Sequence, residues 1–270
     1  MSTNEKGASA KAPQSDTVNS HSNCTTAEKL TILETVGPLL TKVYRSDGSV
    51  DSYGDAASFK VREKEVRDIV TLSALLTELQ DKPQRCQIHG KFVGKDKAEP
   101  GRVSGTYVRN NANFIDQPLS SFMLDIDKYK PDFGDPVEEP ELCIDGYLRK
   151  VLPKEFWDAS YHWQLSSSAG QPSNRDTLKA HVWFWLETPR KCSELYEWAK
   201  LIGPQVDKAV YRRAQIRYTA NPIFEEGRED PVPVRSGLVR KGSDVLALVI
   251  DDAVLACVFR AIVTGDFAEA

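Results

Sequence analysis

The chain has 270 residues, a net charge of −4 and 40% hydrophobic residues, a composition typical of a soluble globular protein. It contains no run of about 18 apolar residues and no apolar leader, so we predict neither a membrane span nor export. Its five cysteines are scattered without a C-x-x-C pair, which predicts no zinc site and a reducing, cytoplasmic location.

The first part of the chain divides into a tail and a small folded unit. Residues 1–27 are mostly small or polar and cannot bury enough apolar surface to fold, so we predict a disordered tail. Residues 28–117 form a predicted N-terminal subdomain. We expect a hairpin across 31–62, a helix over Arg67–Leu79 and a strand over Cys86–Val93.

The second part, residues 118–270, is the predicted catalytic subdomain of a domain that spans 28–270. Four segments alternate apolar and polar residues with period two, which predicts strands over 121–127, 161–168, 179–186 and 215–220. Helical spacing predicts helices over 144–159, 192–201 and 252–262. The sequence therefore predicts an α+β fold, in which helices pack on one face of an open, mostly antiparallel sheet and the polar face is solvated.

Two aspartates, Asp125 and Asp127, lie two positions apart in the first of these strands. Their side chains project to the same side, about 7 Å apart at Cα by strand rise. Carboxylates this close repel each other unless a cation lies between them, and their hard oxygens suit Mg²⁺ or Mn²⁺. Because D-x-D is a common pattern, the alternative is a solvated acidic pair at the end of a strand.

Lys179 and His181 share the polar side of the third strand. An ammonium and an imidazole two residues apart suit the oxygens of a triphosphate. Ser166 and Ser168 belong to a turn of small residues, Ser-Ser-Ser-Ala-Gly, whose hydroxyl and N–H groups can hold phosphate. The alternatives are an exposed strand end and a flexible hairpin loop.

The segment that begins at Asp207 carries one carboxylate and several cations. Asp207 is the candidate third metal ligand, and its alternative, compatible role is the N-cap of a helix over 208–214. We predict that Arg212 and Arg213 contact a template strand and that Arg217 binds a phosphate. The alternative for all three arginines is a solvated face that balances nearby acidic residues.

Taken together, these residues resemble the archaeo-eukaryotic primase superfamily, specifically the primase-polymerase domains of bacterial phages, plasmids and integrative elements. Leu124-Asp-Ile-Asp127 matches the D-x-D motif of that family, and Val206-Asp207 matches its single downstream aspartate. Leu178–Phe184 resembles the S-x-H motif, with Lys179 where serine is often found. The resemblance extends over about residues 118–235.

This resemblance implies an N-terminal α/β unit beside an RNA-recognition-like catalytic unit, with the active site between them. It implies a DNA primase, a DNA polymerase or both, which copies a single-stranded DNA template from nucleoside triphosphates during replication of a phage or mobile element. Two Mg²⁺ or Mn²⁺ ions would be held by Asp125, Asp127 and Asp207. A helicase, fused or separate, is a partner that the resemblance implies.

Two other functions remain open at this stage. A metal-dependent nuclease or replication initiator would use the same carboxylates, although the chain has no H-x-H pair. A non-catalytic protein would stack single-stranded nucleic acid on the predicted polar face, at Trp183 or Trp185.

Overall fold

The computed structural model describes residues 27–94, 105–251 and residue 256. Nearly all of the predicted tail and of the predicted helix over 252–262 therefore lies outside the described residues. The strands are β1 (Glu28–Glu34), β2 (Val43–Tyr44), β3 (Val50–Asp51), β4 (Ser58–Val66), β5 (Arg85–Ile88), β6 (Lys91–Phe92), β7 (Tyr107–Val108), β8 (Phe114–Ile115), β9 (Leu119–Tyr129), β10 (Tyr161–Leu165), β11 (Leu178–Arg190), β12 (Arg217–Tyr218), β13 (Ile223–Phe224) and β14 (Ser236–Val239). The α-helices are α1 (Ile69–Gln80), α2 (Pro140–Val151) and α3 (Cys192–Ile202), and 3₁₀ turns cover Lys154–Phe156, Pro172–Asn174 and Lys208–Tyr211.

An N-terminal sheet is built around β1, in the order β12-β5-β1-β4-β7. β1 pairs antiparallel with β4, from Glu28 opposite Val66 to Glu34 opposite Lys60, which confirms the hairpin pairing predicted across 31–62. The helix α1 follows and confirms the helix predicted from Arg67. Asp68 caps it, because its carboxylate accepts a 2.7 Å hydrogen bond from the Thr71 N–H.

The second sheet has the order β14-β10-β11-β9, with antiparallel pairing throughout. Three of its strands were predicted, but the fourth was not. The segment predicted over 215–220 forms β12, whose Arg217 and Tyr218 pair with Gln87 and Cys86 of β5 in the N-terminal sheet. Its place in the second sheet is taken by β14, so a division of the chain at residue 118 does not separate the two sheets.

The helices α2 and α3 pack against one face of the second sheet, where Phe122 and Phe184 contact Phe156 and Trp198. The range of α3 agrees with the prediction. The helix predicted over 144–159 begins earlier and ends at Val151 instead. Pro140 occupies the first turn, where its missing N–H costs nothing, and Pro153 prevents continuation beyond Leu152.

The opposite face of the second sheet is covered by α1, so the prediction of a fully open polar face is wrong. His162 on this face lies against α1, with its Nδ1 2.9 Å from the Ser73 hydroxyl. Trp183 and Trp185, on the same face, are 0% and 1% exposed. An alternating pattern predicts that the two faces of a strand differ in polarity, but it does not predict which elements cover each face. The end of the sheet at Asp125, Asp127, Lys179 and His181 keeps a polar, partly exposed surface.

The described residues thus form an α+β fold with mostly antiparallel sheets and three α-helices. None of the helices in the described ranges is long and apolar enough to cross a membrane.

Candidate functional site

The site is centred on β9, one of the two edge strands of the second sheet. Phe122, Leu124 and Ile126 are buried in the core, whereas the intervening carboxylates reach the surface. The side chain of Asp125 is 25% exposed and that of Asp127 is 53% exposed. The predicted alternation of buried and exposed side chains is therefore confirmed at the end of this strand that carries Asp125 and Asp127.

An irregularity in the pairing of β9 with β11 brings Lys179 to Asp127. Leu178 pairs with Tyr129 and Ala180 pairs with Ile126, so β9 contains one extra residue opposite Lys179. Such a bulge turns side chains away from their regular direction and is common beside functional sites. The Lys179 ammonium here donates to the Asp127 backbone carbonyl at 3.0 Å and to the Asp127 carboxylate.

His181 is the corresponding neighbour of Asp125, and its Nε2 lies 3.7 Å from Asp125 Oδ1. Burial raises the pKa of Asp125, and the charges of Asp127 and Asp207 raise it further, while His181 and Lys179 oppose the shift. Burial is the largest of these effects on Asp125, and the two other carboxylates add to it.

Asp207 reaches the same region from the segment that follows α3. The helix ends at Gly203, whose positive φ of 110° permits the turn, and Tyr147 donates a 2.7 Å hydrogen bond to the Gln205 carbonyl. The Asp207 carboxylate accepts a 2.8 Å hydrogen bond from the Ala209 N–H. Its predicted capping role is confirmed, but the element that it caps is a short 3₁₀ turn rather than a helix over 208–214.

One cavity of about 830 Å³ is lined by Asp125, Asp127 and Asp207. The edge of β9, Tyr147 of α2 and the segment 203–208 enclose it. Each carboxylate currently has a different neighbour, namely His181, Lys179 and the Ala209 N–H. The structure therefore brings the three predicted metal ligands to one space.

The turn that carries Ser166 and Ser168 lies beside Lys179, because the Ser166 N–H donates to the Lys179 carbonyl at 2.8 Å. Its carbonyls face the protein, where they accept hydrogen bonds from Arg235, Tyr44 and Asn174. Within the described part of the chain, the N–H groups of Ser167 and Ser168 have no acceptor. N–H groups without an acceptor in a turn of this kind can bind an anion.

Tyr53 is a site residue that the sequence reasoning missed. It comes from the N-terminal unit and stacks on Tyr218 with ring centroids 3.9 Å apart. Burial raises its pKa, a hydrogen bond with Ser167 lowers it, and the charges of Asp125 and Asp127 raise it. The sequence around Tyr53 is a turn-rich stretch without a motif, so it does not predict that this side chain lies near the carboxylates. That placement depends on how the two sheets meet.

Arg217 is buried. Neither of its two predicted roles, phosphate binding and membership of a solvated face, agrees with this position. The residue is 1% exposed, and its guanidinium contacts Gln87 Oε1 at 3.4 Å, His89 Nδ1 at 3.5 Å and the Val210 carbonyl at 3.4 Å. Burial without a carboxylate partner lowers its pKa. We therefore exclude Arg217 from the nucleotide-binding set.

The two predicted template-binding arginines stay closer to the surface. Arg212 is exposed immediately after the 3₁₀ turn that Asp207 caps. Arg213 is partly buried, and its Nε donates a 3.0 Å hydrogen bond to Asn111. Their contact with a template remains a prediction.

A separate cluster contains His89, Asp116 and Cys192, whose potential ligand atoms lie within 4.8 Å of one another. These groups already have partners. His89 Nε2 lies 2.8 Å from the Gln117 carbonyl, and the Asp116 carboxylate accepts the N–H groups that begin α3. The Arg217 guanidinium next to His89 would repel a cation, so we interpret the cluster as a buried polar network.

The donors around the cavity fit hard divalent cations. Asp125, Asp127 and Asp207 provide oxygen ligands of the kind that Mg²⁺ and Mn²⁺ prefer, without sulfur or a histidine pair. Burial, and to a smaller extent the charges of Asp127 and Asp207, raise the pKa of the Asp125 carboxyl, and a bound cation would favour its ionised form.

Comparison of the chain with known proteins gives no family model, no curated protein and no solved structure that matches it. The resemblance to primase-polymerases therefore rests on the sequence motifs described above.

Proposed function

We propose that the chain is a template-directed nucleotidyltransferase, a DNA primase or DNA polymerase that acts on single-stranded DNA with divalent metal ions. In this proposal the sheet β14-β10-β11-β9, with α2 and α3, is an RNA-recognition-like catalytic unit. Its active site lies where β9 and the turn 166–168 meet Tyr53 of the N-terminal unit.

The observation that carries the proposal is the shared cavity of Asp125, Asp127 and Asp207. Asp207 is remote in sequence from the other two, yet it lines the same space. Lys179 and His181, which would bind phosphate, are the immediate neighbours of two of these carboxylates. Three carboxylates with adjacent cationic side chains suit a substrate that brings both metal ions and phosphate groups.

In the proposed reaction a 3′-hydroxyl oxygen bonds to the α-phosphorus of a nucleoside triphosphate. The bond from that phosphorus to the bridging oxygen breaks, pyrophosphate leaves and the hydroxyl proton passes to solvent. Divalent ions held by Asp125, Asp127 and Asp207 would lower the pKa of the attacking hydroxyl and neutralise the leaving group.

The remaining side chains would bind and orient the triphosphate. The N–H groups of Ser167 and Ser168, which have no acceptor among the described residues, and the hydroxyls of Ser166 and Ser168 would donate to phosphate oxygens. Lys179 would exchange Asp127 for a phosphate oxygen when a metal ion occupies the carboxylate. His181 would remain between Asp125 and the phosphate chain.

Template contact is assigned in this proposal to Arg212 and Arg213, which follow the Asp207 turn. Contacts of this kind depend on charge rather than base sequence and weaken steeply with salt. A purely stacking protein is disfavoured, because Trp183 and Trp185 are buried.

The proposal is tested by incubating the chain with single-stranded DNA, labelled nucleotides and Mg²⁺ or Mn²⁺, and resolving the products by length. We expect new strands whose formation stops when a chelator removes the metal. Cleavage of plasmid DNA without added nucleotides, and no synthesis, would identify the nuclease instead.

The variants Asp125→Asn and Asp127→Asn should each lower synthesis by at least about a hundredfold, since positioning and charge neutralisation carry this chemistry. Asp244→Asn is the matched control, because Asp244 is a partly exposed aspartate paired with Arg240 outside the cavity lining. If folded Asp125→Asn or Asp127→Asn synthesises DNA at the wild-type rate, the proposed function is wrong.

A further inference from the structure

Three side chains from separate segments, Tyr44, Phe224 and Arg235, pack together beside the Ser166–Ser168 turn. The Tyr44 ring of β2 stacks on the Phe224 ring of β13, with centroids 4.8 Å apart and an angle of 6° between the planes. The Arg235 guanidinium lies 5.9 Å from the centre of the same Phe224 ring. Phe224 therefore holds a tyrosine and an arginine together through stacking and cation–π contacts.

The two polar members of this cluster bind consecutive carbonyls of the turn. Arg235 Nη1 donates to the Ser166 carbonyl at 3.1 Å, and the Tyr44 hydroxyl donates to the Ser167 carbonyl at 2.8 Å. The other guanidinium nitrogens of Arg235 donate to the Asp230 carboxylate, which fixes the plane of the guanidinium. Tyr44 is 3% exposed and Arg235 is 7% exposed, so they are placed to act through the turn rather than on a ligand.

The geometry of the peptide group links these carbonyls to the two N–H groups of the turn that have no acceptor. In a planar trans peptide the C=O and the N–H point to opposite sides, and the described part of the chain contains no cis peptide. The Ser166 carbonyl shares a peptide group with the Ser167 N–H, and the Ser167 carbonyl shares the next one with the Ser168 N–H. The hydrogen bonds from Arg235 and Tyr44 therefore fix the directions of both N–H groups.

The segment that carries Arg235 also fixes both ends of the turn. The Leu165 N–H donates to the Arg235 carbonyl at 2.8 Å. At the other end, Gly170 has a φ of 76°, and a Cβ there would lie 2.9 Å from Val232 Cγ2 and 3.1 Å from Pro231 Cγ. The contact at Gly170 is thus too close for a larger residue, and the turn has little freedom to rotate its peptide groups.

We propose that Tyr44 and Arg235 are positioning residues, which hold the Ser167 and Ser168 N–H groups in place to bind phosphate oxygens. This inference rests on the proposed function and names the residues that organise its triphosphate contact. Donors that are fixed before the ligand arrives bind it without a further cost of ordering.

Calorimetric titration with Mg²⁺ and inorganic tripolyphosphate tests the tyrosine without catalysis. Tyr44→Phe keeps the ring on Phe224 and removes only the donor to the Ser167 carbonyl, so the affinity should fall about five- to tenfold. The matched control is Tyr161→Phe, which removes an equally buried hydroxyl that donates to Asp145 of α2 at 3.0 Å. The control should bind within about twofold of wild type. Equal affinity in Tyr44→Phe and wild type overturns the proposal.

Arg235→Lys separates positioning from simple attraction by charge. The variant keeps the positive charge but lacks the planar fork that contacts Asp230 and the Ser166 carbonyl together. Its affinity for tripolyphosphate should fall about tenfold. Wild-type affinity in the folded variant would show that charge alone acts here, and would overturn the role of Arg235. If Arg235→Lys does not fold, Tyr44→Phe decides the proposal.

Amide resonances give a readout that a purely structural role would not change. In wild type, the amide protons of Ser167 and Ser168 should shift downfield when tripolyphosphate and Mg²⁺ are added, and the shift should be smaller in Tyr44→Phe. Unchanged Ser167 and Ser168 resonances in wild type overturn the proposal. In DNA synthesis, Tyr44→Phe should raise the KM for nucleotide about five- to tenfold and leave kcat within about threefold.

These readouts also separate this inference from the proposed function. If wild type binds tripolyphosphate with the expected amide shifts but forms no phosphodiester bond, the proposed function fails and the positioning role stands. If wild type does not bind tripolyphosphate, the positioning role fails, whatever the outcome of the synthesis assay.

Discussion

Lys179 Nζ donates at 3.0 Å to the Asp127 backbone carbonyl and also contacts the carboxylate of the same residue. The lysine side chain is 13% exposed and the aspartate side chain is 53% exposed. A cation that binds this carboxylate must therefore compete with an ammonium group. The competition couples metal binding to phosphate binding, because the displaced ammonium becomes available to a phosphate oxygen.

Lys179→Gln should raise the affinity for Mn²⁺ in the absence of nucleotide by about two- to fivefold, the range expected for a partly exposed ion pair. The same variant should raise the KM for nucleotide about tenfold, because it loses a charge-assisted phosphate contact. Calorimetry and steady-state kinetics measure the two effects. Lys130→Gln, which breaks only the exposed pair with Asp176, is the control. Weaker Mn²⁺ binding in Lys179→Gln would contradict the competition.

Asp207 combines a capping role with the proposed metal-binding role, and two substitutions separate them. Asp207→Asn keeps an acceptor for the Ala209 N–H, so its free energy of unfolding should stay within about 0.5 kcal/mol of wild type. Asp207→Ala loses the cap and should unfold about 1 kcal/mol more easily. Both variants should be inactive in DNA synthesis. An active Asp207→Asn would remove Asp207 from the catalytic set.

Arg217 should influence stability rather than nucleotide binding. Arg217→Met fills similar volume without a buried charge, so the free energy of unfolding should change by no more than about 1–2 kcal/mol. The KM for nucleotide should stay within about twofold of wild type. Denaturant unfolding and kinetics measure these quantities. A large increase in KM with unchanged stability would show that Arg217 contacts the substrate.

His162 should make the folded state sensitive to acid. Burial lowers its pKa to about 4, whereas the unfolded chain has an ordinary value near 6.5. Below about pH 6.5 the unfolded chain therefore binds a proton that the folded chain does not, and stability falls until about pH 4. The full contribution is present above pH 6.5.

The corresponding variant is His162→Gln, which can still contact Ser73 but does not titrate. Between pH 7 and pH 5, wild type should lose about 2 kcal/mol more free energy of unfolding than this variant. Urea unfolding at both pH values tests the difference. His89, whose pKa burial also lowers to about 4, contributes equally to both proteins. Identical pH dependence in the two proteins would refute the assignment to His162.

The parts of the fold that were predictable depend on short-range geometry. Asp125 and Asp127 share one side of β9 because side chains alternate along any strand. The helices α1 and α3 were predictable because helical spacing of apolar residues is a local pattern. The error in α2 was also local, since Pro140 and Pro153 mark its limits in the sequence.

The parts that were not predictable depend on contacts between distant segments. The amino-acid sequence by itself determined which residues carry carboxylate, ammonium and hydroxyl groups and which side of each strand they occupy. Only the tertiary structure decided that α1 packs on His162, that Arg217 is buried beside His89, and that Asp207 shares a cavity with Asp125. Burial and proximity are properties of the packed chain, so a residue's own neighbours in sequence do not specify them.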